Sequence, residues 1–506
     1  MIKTVKNKKA SYLAASSSGI IKYAAGLPDA EITSVEYDSR KVGPGTMFVA
    51  VKGFAADGHA YIKNAVDAGA SAVVVSPDRL NEFLELSSKT VIYTSSDTRR
   101  ALSILAASFF DFPSVEMDII GVTGTNGKTS ITYMLESILK KAGMNPGVIG
   151  TINYRWAGKT LSAPNTTPES RDIQEILYNM LEDGVDCVVM EVSSHALALG
   201  RVEDIDFNCA IFTNLTGDHL DFHSDMEDYF SAKMRLFALL DKGVNEIRCA
   251  VVNADDEYCR RIIDMKKDFS FPVNSFGVSN ADYMPDADSI ENKITGLSYK
   301  LKKPFPMEVN LKLAGKFHVS NSLAALSAAS SLGIDENIIA QGLSALENVP
   351  GRYEVIHSSE GFSAVVDYAH TGDALLKLLQ SVNELSHQRI ITVFGCGGDR
   401  DRTKRPVMGS IASSNSDCVI VTSDNPRTEM PGAIISEIIS GISLKNFEVV
   451  EDREHAIAKA VEMAQSGDII VVAGKGHEDY QILGKNKIHF DDREMLQKYI
   501  AKRESV

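Results

Sequence analysis

Residues Gly121-Val122-Thr123-Gly124-Thr125-Asn126-Gly127-Lys128-Thr129-Ser130 constrain the fold more tightly than any other stretch of this chain. They follow the apolar run Met117-Asp118-Ile119-Ile120 and open a segment in which Ile131, Met134, Leu135, Ile138 and Leu139 fall at i, i+3, i+4, i+7 and i+8. That spacing predicts a helix with one apolar face, stopping near Gly143. A strand, a glycine-rich turn and a helix in this order form a phosphate cradle. Glycines let backbone N–H groups converge on an anion, Lys128 reaches the β and γ phosphates, and the Thr129 hydroxyl can ligate Mg²⁺ at the helix N-terminus. The strict Walker spacing would put glycine where this chain has Val122; its glycines stand at 121, 124 and 127.

The chain's 506 residues exceed one ordinary core, and length alone predicts about three domains. With 67 acidic against 52 basic residues the net charge is −15. A broad nucleic-acid surface is therefore excluded, while a local basic pocket for a small anion is not. Cys187, Cys209, Cys249, Cys259, Cys396 and Cys418 include no Cys-x-x-Cys pair and lie mostly in or beside apolar runs. They read as buried thiols of a reducing compartment. Lys3, Lys6, Lys8 and Lys9 are followed by Ser16-Ser17-Ser18-Gly19 rather than a long apolar core. We expect a cytoplasmic protein with no signal peptide and no membrane span.

Strand and helix signals divide the chain into 1–112, 113–349 and 350–506. The first part carries Thr46-Met47-Phe48-Val49-Ala50-Val51 and Ser71-Ala72-Val73-Val74-Val75 and closes near Asp111-Phe112-Pro113. In the second, Cys187-Val188-Val189-Met190, Cys209-Ala210-Ile211-Phe212 and Cys249-Ala250-Val251-Val252 are separated by helix-length stretches, as in a parallel sheet. A helical region from Leu323 to Leu346 precedes the breakers Val349-Pro350-Gly351. Beyond them come Ala364-Val365-Val366, Ile390–Phe394, Val419-Ile420-Val421 and Ile469–Val472, each running straight into polar or glycine-rich sequence. Open α/β sheets bind ligands beyond the carboxyl ends of their strands, so this third part reads as a Rossmann-like ligand holder without the dinucleotide fingerprint.

Glu191-Val192-Ser193-Ser194-His195 follows one central strand, and Thr213-Asn214-Leu215-Thr216-Gly217-Asp218-His219-Leu220-Asp221-Phe222-His223 follows another, with Lys233 further on. A carboxylate, an imidazole and the cradle threonine at strand ends can hold Mg²⁺ between phosphates and a substrate oxygen. These segments, together with Tyr229-x-x-x-Lys233, Asn253-Ala254-Asp255-Asp256, Pro350-Gly351-Arg352 and Asp367-Tyr368-Ala369-His370, resemble the Mur ligase family over nearly the whole chain. Asp38-Ser39-Arg40 and Asn165-Thr166-Thr167-Pro168 resemble the members that add the third residue of the peptidoglycan stem.

The resemblance implies three α/β domains: an N-terminal UDP-substrate domain, a central P-loop parallel-sheet domain and a C-terminal Rossmann-like domain. It implies ATP and Mg²⁺ on Gly121, Thr123, Gly124, Thr125, Asn126, Gly127, Lys128, Thr129 and Ser130, with Arg352 and Asp367 completing the nucleotide site. Thr129, Glu191 and His219 would hold metal. Lys233 would react with CO₂ to give a carbamate, a carboxylate-like ligand. Lys128, Lys233 and His219 are the implied catalytic set. Ser39, Thr166, Thr167, Ser193 and Arg201 would contact UDP-N-acetylmuramoyl-L-alanyl-D-glutamate, in an enzyme working as a monomer. Two departures stand out: His318 where the family often has Asn, and Gly372 where Pro is commoner.

Asp424-Asn425-Pro426-Arg427 discriminates between amino acids. Family members using meso-diaminopimelate carry this motif, its arginine pairing with the substrate's far carboxylate; Arg400, Gly474 and Glu478 match the remaining amino-acid positions. The implied activity is ATP-dependent ligation of meso-diaminopimelate to the D-glutamyl γ-carboxylate through an acyl phosphate. The alternatives are the same ligation with L-lysine, a folylpolyglutamate synthetase, and a catalytically silent scaffold.

Overall fold

The strand expected before the glycine-rich turn is Asp118–Thr123, and the helix after it is Lys128–Lys141. Ile131, Met134, Leu135, Ile138 and Leu139 are all fully buried, as their spacing predicts. The computed structural model describes residues 5–53, 56–219 and 222–505. Within them, Asp118–Thr123 lies inside an eight-stranded sheet, flanked in parallel by Cys187–Glu191 and Cys209–Phe212. Cys249–Asn253 and Val273–Phe276 extend the parallel run on one side and Pro146–Ile149 on the other. Asn153–Trp156 and Lys159–Ser162 close that second edge antiparallel. The central strands are apolar on both faces because helices cover both, which is why they read as runs rather than alternations.

This sheet belongs to a compact unit made of the described residues up to Asp282 together with Ala324–Asp335. The same unit holds a five-stranded sheet, whose order is Lys22–Ala25, Val91–Thr94, Ala72–Val75, Thr46–Val49, Ser34–Glu36. Arg171, on helix Ser170–Glu182, ties the two sheets together. Its Nε donates to Val35 O at 3.0 Å and its Nη2 meets Glu36 Oε1 at 2.8 Å. Tyr37 OH adds a hydrogen bond to Asp172 Oδ2 at 2.7 Å.

The second unit comprises Tyr283–Leu323 and the described residues from Glu336 onward. Its six-stranded sheet runs Glu354–His357, Ser363–Asp367, Ile469–Ala473, Ile390–Phe394, Cys418–Val421, Phe447–Val449, parallel except at Glu354–His357. A small antiparallel sheet, formed by Met284–Pro285, Glu291–Lys293, Gly296–Lys303 and Met307–Leu311, stands where the sequence reading assigned nothing. The helical region around 323–346 is two helices, Phe317–Ser331 and Glu336–Ala345. All six cysteines are free, five of them buried and Cys418 half-buried. Among the described residues no helix is long and apolar enough to cross a membrane.

Arg453 and Asp492 form an ion pair with both side chains fully buried, Nε to Oδ1 at 2.7 Å. Arg453 Nη2 also donates to Ala473 O at 3.0 Å, at the end of a central strand. Removing one member strands the other's charge in a dry interior, so Arg453→Met is expected to destabilise the protein by about 3–5 kcal/mol. A denaturant-unfolding midpoint equal to the parent's would show the pair to be energetically neutral.

Candidate active site

The glycine-rich turn owes its shape to two left-handed glycines. Gly124 has φ +133°, and a Cβ there would come 1.9 Å from Thr213 Oγ1; Gly127 has φ +90° and caps the helix. No residue with a side chain fits at 124 without moving the next strand's end. That neighbour braces the turn throughout. Thr125 N donates to Asn214 O and Asn126 N to Asn214 Oδ1, each at 2.9 Å, and Thr213 Oγ1 donates to Asn126 O at 2.6 Å. Gly121 and Thr123 lie within the strand, where a Cβ on Gly121 would press on Phe207 at 2.8 Å. Thr129 and Ser130 are buried in the first helical turn.

Two lysines converge on this turn. Lys128 Nζ donates to Gly124 O and Thr125 O at 2.9 Å, and Lys233 Nζ reaches the same Gly124 O at 2.9 Å from helix Met226–Lys242. Lys233 is 1 % exposed, with its ammonium position 4.6 Å from the Tyr229 ring centre. Burial, reinforced by the Lys128 charge, pushes its amine well below the usual lysine range. His219, at φ +56°, stands beside Asp218 and packs edge-on against His195 with ring centres 5.0 Å apart. His195 also meets Phe222 and His223. Leu220 and Asp221 of this motif lie outside the described residues.

Glu191 ends its strand at 1 % exposure. Its carboxylate accepts from Thr151 N and from Thr151 Oγ1, both at 2.9 Å, and Thr151 Oγ1 is 3.0 Å from Thr166 Oγ1. Thr167 Oγ1 donates to Glu191 O at 2.8 Å and accepts from Ser193 N at 3.0 Å, while Arg201 Nη1 donates to Thr167 O at 3.1 Å. The structure therefore joins Glu191, Thr166, Thr167, Ser193 and Arg201 in one network. Ser39 sits apart, in the short turn Ser39–Lys41. Its segment is nevertheless fixed to helix Ser170–Glu182, just after Thr167, through Glu36 and Tyr37.

In the second unit, Asp367 Oδ2 accepts from Tyr353 N and Oδ1 from Ala369 N, each at 2.8 Å; burial raises this carboxyl while Arg352 opposes the shift. The Arg352 guanidinium stacks over the Tyr368 ring at 4.7 Å. Close by in sequence, Gly351 has φ +62° and a Cβ there would collide with His477 N at 2.0 Å. Around the strand ends, Asn425 Nδ2 donates to Glu478 Oε2 at 2.9 Å, and Gly474 leaves room for Asp424 Oδ2, which a Cβ would meet at 2.8 Å. Asn425 and Asp424 are buried and Pro426 links them to Arg427, whose φ is +50°. Arg427 Nη1 donates to Gly398 O at 2.8 Å, and a Cβ on Gly397 would sit 3.0 Å from Arg427 Nη1 and 3.8 Å from Arg400 Cγ. Arg400, Asp424, Asn425, Pro426, Arg427, Gly474 and Glu478 thus gather at the carboxyl ends of one sheet, where the topology puts ligands.

His318 is fully buried, and burial drops its imidazole to about 3. It is a neutral core residue near Asn321 Nδ2, at 3.4 Å. Gly372 opens helix Gly372–Asn383, which Thr371 caps through its side chain. Sequence reasoning assigned no role to Lys475. Its side chain is fully buried and pairs with Glu478 at 3.3 Å, where it opposes the upward shift that burial imposes on that carboxyl. Thr151 was missed as well, for want of any local pattern around it.

The first unit's donor set fits a nucleoside triphosphate with its cation. Gly124 and Gly127 remove the Cβ at two positions of the turn, two lysines reach it, and Thr129 lies in the first turn of the helix. Among the described residues no group of three or more His, Cys, Asp or Glu side chains is arranged to hold a metal. A cation here would need oxygen ligands from the phosphates and from water besides those the chain supplies.

Residues 31–110 match the model described as Mur ligase family, catalytic domain; residues 122–329 match Mur ligase middle domain; residues 351–476 match Mur ligase, glutamate ligase domain. The chain is 46% identical over 476 residues to the UDP-N-acetylmuramoyl-L-alanyl-D-glutamate--2,6-diaminopimelate ligase of Clostridioides difficile (strain 630), covering 93% of this chain and 96% of that one. The like-named Bacillus cereus protein is 42% identical over 477 residues, covering 94% and 95%. A solved structure bearing the same name superposes with a TM-score of 0.71 at 30% identity, covering 99% of this chain and 100% of that chain.

Proposed function

The chain belongs to the Mur ligase family, and on that premise we propose that it ligates meso-2,6-diaminopimelate to the D-glutamyl γ-carboxylate of UDP-N-acetylmuramoyl-L-alanyl-D-glutamate, with ATP converted to ADP and phosphate. One observation carries the choice of amino acid: Arg427 and Arg400 flank Gly397, beside the Asp424, Asn425 and Glu478 cluster. Two guanidinium groups suit a distal carboxylate, and the neighbouring carboxylates suit its ammonium group.

The γ-carboxylate oxygen of the dipeptide attacks the γ-phosphorus of ATP and ADP leaves. The amine of diaminopimelate then adds to the acyl carbon, loses a proton, and phosphate departs from the tetrahedral intermediate. Lys128 would stabilise charge on the transferred phosphoryl oxygens, and Thr129, Glu191, His219 and carbamylated Lys233 would hold Mg²⁺. That ion would screen the phosphates and polarise the phosphoryl group. Thr166, Thr167, Ser193 and Arg201, already cross-linked to Glu191, would present the muramoyl-dipeptide, with Ser39 contributing from its tethered segment. Domain limits of 1–112, 113–349 and 350–506 accompany this reading. So do a cytoplasmic location in peptidoglycan precursor synthesis and a monomeric working state.

Direct competition between diaminopimelate and lysine at equal concentration tests the proposal, with diaminopimelate expected in the product. For Arg427→Ala, loss of a charge pair in a pocket of this kind is worth on the order of 2–5 kcal/mol in kcat/KM for diaminopimelate, with a much smaller change in ATP affinity. Preferential lysine incorporation by the unmodified protein would reject the amino-acid assignment and leave the ligase assignment standing.

A further inference from the structure

Arg405 carries a fully buried charge close to the amino-acid cluster, yet it is not one of the residues assigned to a substrate. Its guanidinium spans two carboxylates. Nη1 donates to Glu429 Oε2 at 2.9 Å and to Glu437 Oε2 at 2.7 Å, while Nη2 donates to Glu429 Oε1 at 2.8 Å. Arg405 Nη2 also donates to Gly397 O at 3.2 Å. Glu429 Oε1 in turn accepts from Asp399 N at 2.6 Å. The Arg405–Glu429 pair therefore grips the loop that carries Arg400 at two backbone atoms, Gly397 O and Asp399 N. It grips the loop that carries Arg427 through Glu429 itself, whose N–H bonds Pro426 O at 3.1 Å.

Further bonds lock the two loops to each other. Gly398 N donates to Asn425 O at 2.9 Å, and Thr428 Oγ1 donates to Asp399 Oδ1 at 2.7 Å. Asp399 and Arg427 both sit in the left-handed region, at φ +54° and +50°. Residues with side chains stay there only where their surroundings hold them. Close packing leaves no slack, because a Cβ on Gly398 would fall 1.9 Å from Pro426 O. The relative placement of Arg400 and Arg427 is thus set by a buried guanidinium–carboxylate fork.

We propose that Arg405 and Glu429 are positioning residues that fix the spacing of Arg400 and Arg427, and so set selectivity for an amino acid bearing a second carboxylate. This rests on the diaminopimelate reading above. Bidentate recognition is unforgiving of displacement, so a shift of about an ångström in either arginine costs up to roughly 100-fold. ATP and the muramoyl-dipeptide depend on other residues for binding and are spared.

Glu429→Gln is the primary variant, since it leaves Arg405 paired with Glu437; Arg405→Lys keeps the charge and removes the fork. KM and kcat are measured for each of the three substrates, alongside the melting temperature and the diaminopimelate-to-lysine competition ratio. Both variants are expected to raise KM for diaminopimelate about 10-fold or more and to lower the competition ratio, with KM for ATP and for the muramoyl-dipeptide nearly unchanged. An unchanged KM for diaminopimelate in a folded variant overturns the proposal, as does an equal loss toward all three substrates with a lowered melting temperature. The unmodified protein's turnover with diaminopimelate reads the proposed function separately. Exclusive use of lysine there would overturn both, whereas a diaminopimelate-using parent with insensitive variants would overturn the positioning role alone.

Discussion

Turnover of the Lys128→Ala variant is expected to fall on the order of a hundred- to a thousandfold while the protein remains folded. The side chain stands at the first residue of helix Lys128–Lys141 and contributes nothing to that helix's apolar face, which is made by Ile131, Met134, Leu135, Ile138 and Leu139. Its ammonium bonds Gly124 O and Thr125 O, two carbonyls of the turn itself. A phosphoryl oxygen can take their place at little structural cost. On the proposed mechanism, deleting the amine removes the cation that would stabilise the charge developing during phosphoryl transfer. The turn loses both lysine bonds, but Gly124 O keeps a donor in Lys233 and the bonds from Asn126 N and Thr213 Oγ1 remain. Phosphate release with all three substrates, set beside the circular dichroism spectrum of the same sample, separates chemistry from folding. Near-parental turnover in the folded variant would remove the turn from the catalytic account.

The elements that sequence revealed are those whose signal is local. The cradle combines left-handed glycines with a five-residue apolar stripe, and each stripe residue is fully buried. Short runs such as Cys187–Glu191 and Ile469–Ala473 read as parallel strands because helices cover both faces and leave no polar alternation. Gly296–Lys303 was legible and passed over: Leu297, Tyr299 and Leu301 alternate with Ser298 and Lys300, a two-residue period in a segment otherwise short, lysine-rich and broken. Long-range pairing is a different matter. Arg171 meets Glu36 across the unit and Arg405 meets Glu429 across two loops, and neither spacing leaves a pattern in one sequence.

The grouping of the residues proposed to bind the amino acid was legible for a related reason. Its members sit on the loops that follow strands, so the topology brings Asp424, Gly474 and Arg400 to one end of the sheet once the strand order is known. Lys475 escaped because a lysine between two glycines reads as a solvated turn residue, and only the fold shows it buried against Glu478. Glu191 is a similar case. Its strand-end position suggested a metal ligand, whereas its bonds to Thr151 also give it a structural task in holding Thr166.

Lys233 is the position at which an ordinary side chain has the most to gain from modification, and Lys233→Ala is expected to lose activity roughly a hundredfold or more. An amine must be uncharged to attack CO₂, giving a carbamate and releasing a proton. Burial at 1 % exposure and the neighbouring Lys128 charge both favour the uncharged amine. Once formed, the carbamate's negative charge would lie beside the Lys128 ammonium and the phosphate turn, where an unmodified ammonium would repel both Lys128 and the cation. Carbamylation would thus turn a buried amine that resists protonation into an oxygen ligand of the kind Mg²⁺ takes. Bicarbonate or a short carboxylic acid is expected to restore part of the activity of Lys233→Ala by supplying that charge from solution, and ¹³CO₂ should give a carbamate carbon resonance in the parent that the variant lacks. Full activity of the variant, or a parent without the resonance under turnover conditions, would leave Lys233 as a brace for Gly124 O and return the metal site to Thr129, Glu191, His219 and the phosphates.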